Sequence, residues 1–207
     1  MTGDVFEADV MSLFTDDGER KYLNAAERKR FFRARKMITD RSERTFVELI
    51  FWTGCRISEA LQLTIIRVNV EEAFVVFKTL KQHGKNKDRK FRVVHVPRRF
   101  MRDLDRAHRL HRSLGTPRDG SSRRLWAFGR QKGWRLVCQV MGKAGISGPR
   151  ATPRGLRHSF GVHCILHGIP ELRLQDWMGH TSLNTTAIYA KAIGAEDRYL
   201  IKRIWRM

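Results

Sequence analysis

The sequence predicts an α+β fold, mainly α, with one small antiparallel sheet, and three observations carry that expectation. Helical periodicity runs through most of the 207 residues. Only two runs, AFVVFKTL (73–80) and FRVVHVP (91–97), have the β-branched and aromatic character of strands. They bracket the polar KQHGKNKDRK, the pattern of a hairpin with a long basic tip. No Pro/Gly/Ser linker, internal repeat or long low-complexity tract divides the chain, and its length suits one domain with a real core.

The elements follow in order. Residues 1–20 carry several Asp, Glu and Gly with little periodicity, and read as an N-terminal arm before a domain spanning 21–207. In RKYLNAAERKRFFRARK the NAAE tetrad is a capping box that starts a helix at Asn24. Phe46, Leu49 and Ile50 belong to a buried helix ending at Thr53-Gly54; a turn precedes Arg56, and RISEALQLT resumes helical spacing through Ile57, Ala60 and Leu61. Beyond the hairpin, Phe100, Leu104, Ala107, His111 and Leu114 mark a helix that TPRDGSS breaks. Further helices are expected from about Trp134 to Ala144, around 154–167 with Thr152 as N-cap and Pro153 at its first position, and at 170–178 and 184–192. In the tail, 190–207, the residues Ile193, Leu200, Ile201, Ile204 and Trp205 form an apolar helix face. Trp52, Trp126, Trp134 and Trp177 lie at helical spacings among Leu and Val and read as core residues.

Composition narrows the function classes. Forty-one Lys and Arg stand against 21 Asp and Glu, a formal net charge of +20, while 42% hydrophobic content excludes a disordered basic tail. A folded, strongly basic domain points to nucleic acid. A membrane surface is the competing polyanion, but no apolar run approaches the roughly 18 to 20 residues of a spanning helix, and the N-terminus lacks a signal peptide's blocks, so a cytoplasmic protein is expected. Cys55, Cys138 and Cys164 are odd in number and lack CxxC spacing, which argues for reduced core thiols rather than disulfides or a cysteine zinc site.

The stretch ATPRGLRHSFG (151–161) crowds Arg154, Arg157 and His158 into one helical turn. Guanidinium groups three residues apart share a helix face and repel unless solvent or a shared anion intervenes. A helix start rich in arginine suits phosphate, through its N–H groups, its dipole and bidentate hydrogen bonds. A solvated basic face is the competing reading of that spacing alone. Three other motifs extend it: TGCRISEAL with Arg56 and Glu59, the basic hairpin with Lys81, and WMGHTSLNTTAIYA with His180 nine residues before Tyr189.

In that order and spacing, from about Tyr22 to the C-terminus, the chain resembles the catalytic domain of the tyrosine recombinase (phage integrase) family. The resemblance implies that family's catalytic-domain fold. It implies that Arg56 and Arg157 clamp a scissile phosphate, that His180 donates a hydrogen bond to it, and that Tyr189 attacks the phosphorus to leave a 3′-phosphotyrosyl linkage and a 5′-hydroxyl. Lys81 matches the hairpin lysine that protonates the leaving oxygen, with Lys78 and Lys85 as alternatives, and Glu59 matches an acidic position that orients its neighbours. Fixed arginine donors stabilise the charge that gathers on non-bridging oxygens, so this chemistry requires no metal or nucleotide cofactor. Double-stranded DNA is the implied partner, a homotetramer on DNA the implied assembly, and accessory DNA-binding proteins are possible partners. The family's usual helical core-binding domain is not evident within the first 20 residues.

Position 154 departs from the family, which mostly has H-x-x-R here. Arginine stays protonated in essentially any protein environment, so Arg154 can contribute charge to a phosphate pocket but cannot act as a base. His158 reads as a supporting residue that packs or bonds beside Arg157. His163, Cys164 and His167 crowd one helix, but a metalloprotease glutamate and a third ligand are missing, so a core or interface role is expected. The main expectation is integration, excision, inversion or resolution of a mobile element or plasmid. A DNA-binding accessory or regulatory protein with weakened chemistry and a relaxing topoisomerase of the same mechanism are the alternatives.

Overall fold

The computed structural model describes residues 13–79, 91–111, 122–180 and 183–190. The hairpin tip with Lys81 and Lys85, and the tail from 191 with Trp205, lie outside the described residues.

Helix α1 (Ala25–Ala34) begins at the expected capping box: the Asn24 side chain accepts from Glu27 N at 2.8 Å, and the Glu27 carboxylate accepts from Asn24 N at 2.9 Å. Asp40 caps α2 (Arg41–Thr53), which ends at Gly54 in the left-handed region with φ 61°. A side chain at position 54 would also meet the Phe160 ring, with a Cβ only 2.5 Å from Cδ1, so glycine is required there twice over. Helix α3 (Ile57–Leu61) is shorter than the expected run. The chain then forms β1 (Val68–Asn69), β2 (Phe74–Lys78) and β3 (Phe91–His95), an antiparallel sheet in the order β1-β2-β3 with Val75 opposite Val94 and Phe77 opposite Arg92. The two-residue β1 is too short to leave a period-2 signal, and the sequence did not predict it.

Helices α4 (Arg98–His108), α5 (Arg130–Lys143), α6 (Pro153–Leu166), α7 (Glu171–Met178) and α8 (Asn184–Ala190) follow. The mainly α architecture with one small antiparallel sheet is as predicted. Helix α2 is the centre: Phe46, Val47, Leu49 and Ile50 are fully buried, and α4, α5 and α6 pack around it. A second apolar cluster joins Leu13 and Tyr22 to Phe160, Val162, Leu174, Met178 and Tyr189. Helix α6 therefore lies between two cores, which fixes both of its faces.

Trp126 is buried edge-on to Phe46 and donates its indole N–H to Ser42 O at 2.8 Å. Trp52 and Trp177 are partly buried, but Trp134 is 48% exposed, contrary to the core reading. Helix α5 turns Gly133, Leu136, Val137, Val140 and Met141 inward, and Gly133 lets the Phe46 ring approach where a Cβ would stand at 2.8 Å. Trp134, one residue off that stripe, is carried toward solvent. Cys55 and Cys164 are buried thiols pushed up to about 12 by burial, as expected of core cysteines, whereas Cys138 is half-buried. No helix among the described residues is long and apolar enough to cross a membrane.

Candidate active site

The turn at Gly54 sets up the first part of the site. Arg56 is the N-cap of α3, and Glu59, three residues on, accepts from Arg56 N at 2.8 Å. The same carboxylate takes Arg56 Nη1 at 2.8 Å and two bonds from Arg92 on β3, Nη2 at 2.7 Å and Nη1 at 3.2 Å. The Glu59 side chain is fully buried. Burial alone would raise its carboxyl, but Arg92, Arg157 and Arg56 outweigh it and hold it below the usual carboxylate range. Arg92 also donates Nε to Trp177 O at 2.9 Å, tying the sheet to α7. A paired carboxylate with this many donors is a rigid strut, since losing either partner strands a buried charge.

Arg157 projects from α6 and is 8% exposed. It donates Nη1 to Gly54 O at 2.6 Å and Nη2 to Met178 O at 2.8 Å, bridging the C-terminal ends of α2 and α7. Burial, then Arg56, pulls its pKa down to about 10, so it stays charged at neutral pH. Arg154, three residues earlier, is exposed. The two arginines thus share a helical turn but not an environment: Arg154 stands at the second position of α6, and Arg157, further in, reaches the ends of α2 and α7.

His180 follows α7 directly after Gly179, whose φ of 64° ends the helix. Its Nδ1 meets Thr186 Oγ1 at 2.9 Å, and its ring lies nearly parallel to that of Tyr189, with centroids 6.1 Å apart at 15°. Tyr189, on α8, is 2% exposed and presses on Gly161 of α6, where a Cβ would stand 2.7 Å from the ring. Burial pushes the phenol up to about 12, against the pull of Arg157 and Arg56. The hydroxyl meets His158 Nδ1 at 3.1 Å. His158, buried, is driven down to about 3 by burial and by Arg157, Arg154 and Lys21. His180 is driven to about 2 by burial and by Arg157, Arg56, His158 and Arg92.

Arg56, Glu59, Arg157, His158, His180 and Tyr189, drawn from four separate segments, therefore converge on one volume. Lys78 ends β2 on the exposed side of the sheet, and Lys81 and Lys85 fall outside the described residues. Sequence reasoning missed Arg92, Thr186 and Gly161. Arg92 left a signal: it occupies the inward phase of the alternating FRVVH, where a charged residue needs a buried partner. Among the described residues no group of three His, Cys, Asp or Glu could hold a metal ion. His163 and His167 instead contact each other, with ring centroids 4.1 Å apart.

These depressed histidines make acid stability a direct readout of the site. His158, His180 and the core residue His108, lowered to about 4 by burial and Arg123, are neutral when folded and titrate near 6.5 when unfolded. The unfolded state then binds more protons below that value, so stability is complete above about pH 6.5 and declines as the pH falls toward the folded values. Each group costs up to about 1.4 kcal/mol per pH unit in that window. Thermal melts at pH 7.5 and 5.5 are expected to show a marked loss at the lower pH; equal midpoints would mean the histidines are not buried neutral.

Residues 21–195 match the Phage integrase family. Tyrosine recombinase XerA of Pyrococcus furiosus is 29% identical over 170 residues, covering 78% of this chain and 54% of that protein. Tyrosine recombinase XerD of Xanthomonas axonopodis pv. citri is 32% identical over 158 residues, covering 71% and 50%. The chain thus spans about half the length of the curated relatives it matches. A crystal structure of XerA recombinase superposes with a TM-score of 0.70 at 25% identity, over 88% of this chain and 64% of that one. The catalytic domain of bacteriophage HP1 integrase, at 21% identity, shares the fold with a TM-score of 0.60 over 87% of this chain and 93% of that domain. By sequence pattern over most of its length, this chain is a member of the phage integrase family of tyrosine recombinases.

Proposed function

We propose that this chain breaks and rejoins double-stranded DNA at specific sites through a 3′-phosphotyrosyl intermediate, in the service of a mobile element or plasmid. The observation that supports it is the placement of the Tyr189 hydroxyl within the fields of Arg56 and Arg157. A backbone phosphate entering between Arg56, Arg157 and His180 offsets the repulsion between the two arginines, and the donors of all three stabilise the charge gathering on its non-bridging oxygens. Tyr189 Oη gives up its proton to a neighbouring acceptor and attacks the phosphorus, the bond to the 5′ oxygen breaks, and that oxygen takes a proton from a hairpin lysine, Lys81 in this reading. Rejoining reverses the step, so the phosphodiester energy is conserved. Glu59 holds Arg56 and Arg92 in place, and Arg154 adds charge at the rim.

DNA as partner fits the net charge of +20 and the DNA complexes among the structural relatives, including XerH bound to difH substrate and the Tn1549 transposon integrase with transposon right end DNA. A homotetramer on DNA, accessory DNA-binding proteins and a cytoplasmic location complete the reading, with 21–207 as the catalytic domain behind an N-terminal arm. Because Tyr189 is buried, DNA binding has to open a path to its hydroxyl. Incubation with nicked suicide duplexes drawn from the DNA flanking the gene is expected to yield a covalent adduct whose peptide map ends on Tyr189. Arg154→Gln is expected to slow its formation several-fold, and an unchanged rate would remove Arg154 from the phosphate pocket. Arg154 is also what favours the second reading, a DNA-binding regulator with weakened chemistry, which predicts binding without any adduct. Relaxation of arbitrary supercoiled plasmids would indicate a topoisomerase instead.

A further inference from the structure

We propose that His158 is the proton acceptor for the Tyr189 hydroxyl during strand cleavage, the role that Arg154 cannot fill. The assignment rests on the reading above, in which Tyr189 is the nucleophile.

Geometry comes first. Nδ1 of His158 lies 3.1 Å from Tyr189 Oη, within proton-transfer reach, and the two rings are tilted at 53° with centroids 5.9 Å apart. The imidazole is 3% exposed, so water does not compete for that contact. Its other nitrogen, Nε2, is buried with no hydrogen-bond partner among the described residues. An orphaned polar atom in a core lowers stability, and a leucine or phenylalanine in the same space would avoid the loss. Packing therefore does not explain a histidine at this position; the Tyr189 contact does.

Its surroundings keep the acceptor available. The charged and titratable groups that act on His158 are Arg157 and Arg154 from its own helix, Lys21 from the segment before α1, His180 from the end of α7 and Tyr189 from α8. Burial first, and the cations after it, hold the ring neutral, with a lone pair ready at physiological pH. They also oppose a second positive charge, which keeps the proton on Tyr189 while the site is empty. A phosphate seated between Arg56 and Arg157 brings the compensating negative charge, so transfer becomes favourable only when substrate is present. The step uses the tautomer protonated at Nε2. The Oη–H bond breaks, an N–H bond forms at Nδ1, Oη bonds to phosphorus, and the phosphorus–O5′ bond breaks with O5′ protonated from a separate donor. On rejoining, the 5′-hydroxyl attacks, Oη departs, and His158 returns its proton.

The test is single-turnover cleavage of a nicked suicide duplex by wild type, His158→Phe and His158→Ala, with DNA affinity and thermal melts measured alongside. His158→Phe is expected to stay folded, to bind DNA equally well and to cleave about 100-fold or more slowly. Its rate should climb with pH across the range where the wild-type rate is flat, because Tyr189 must then ionise unaided. A duplex with sulfur in place of the scissile 5′ oxygen, whose leaving group needs no proton, should not restore it. Added imidazole should partly restore His158→Ala, a response that a packing role would not produce and that does not depend on the phenylalanine variant folding. Cleavage by both variants at the wild-type rate, or full rescue by the bridging sulfur, overturns the assignment and leaves the functional reading intact. A wild-type protein with no Tyr189-dependent adduct overturns both.

Discussion

The Tyr189→Phe variant is expected to fold, bind DNA and capture none of it covalently. Phenylalanine keeps the ring that presses on Gly161 and lies parallel to His180, so the packing of α8 on α6 survives. Only the hydroxyl goes, and with it the 3.1 Å contact to His158, a change on the order of 1 kcal/mol in stability. A phenyl ring cannot attack phosphorus, and among the described residues the hydroxyls of Thr186 and Ser159 are fully buried and already engaged with His180 and with Leu23 N and Gly155 O. A denaturing gel of suicide-substrate reactions reads the result, with a melt as the folding control. An adduct persisting in the variant would move the nucleophile elsewhere and dismantle the proposed function.

Loss of Arg157 is expected to be the next most damaging change, and to act on rate and stability together. In Arg157→Ala the transition state loses a fixed cationic donor, a deficit of about 10²- to 10³-fold in cleavage rate. The carbonyls of Gly54 and Met178 also lose their shared partner, at about 1–3 kcal/mol for each left without water. Release of a desolvated charge offsets part of that cost. Arg157→Lys separates the two effects: a lysine keeps the charge but is a point donor and cannot span both carbonyls with a planar fork. Its melting temperature should fall less than that of the alanine variant while its cleavage stays well below wild type. Single-turnover rates and melts of the two variants check this, and wild-type cleavage by Arg157→Ala would remove Arg157 from the phosphate.

Local signals were legible where the physics is local. The Asn24 capping box, Gly54 as a left-handed stop and Thr152-Pro153 at the start of α6 depend on neighbours within one turn, and each stands where the spacing placed it. The order of Arg56, Arg157, His180 and Tyr189 along the chain was enough to name a family. Orientation was less accessible. Arg154 and Arg157 looked equivalent at three-residue spacing, yet one is exposed and the other braces two helix ends. Trp134 looked like core and is exposed because Gly133 takes the inward position.

The amino-acid order by itself determined the secondary structure in outline and the basic charge suited to a polyanion, since these follow from composition and near-neighbour spacing, and it supplied the candidate side chains for the proposed phosphoryl chemistry. Tertiary structure alone decided which of those side chains are buried together. It paired Arg92 with Glu59 across the sheet, brought Thr186 to His180, and set His158 rather than Arg154 against the Tyr189 hydroxyl. Such contacts join residues far apart in the chain, and what selects them is the packing of α6 between two cores, a constraint that no short window of sequence contains.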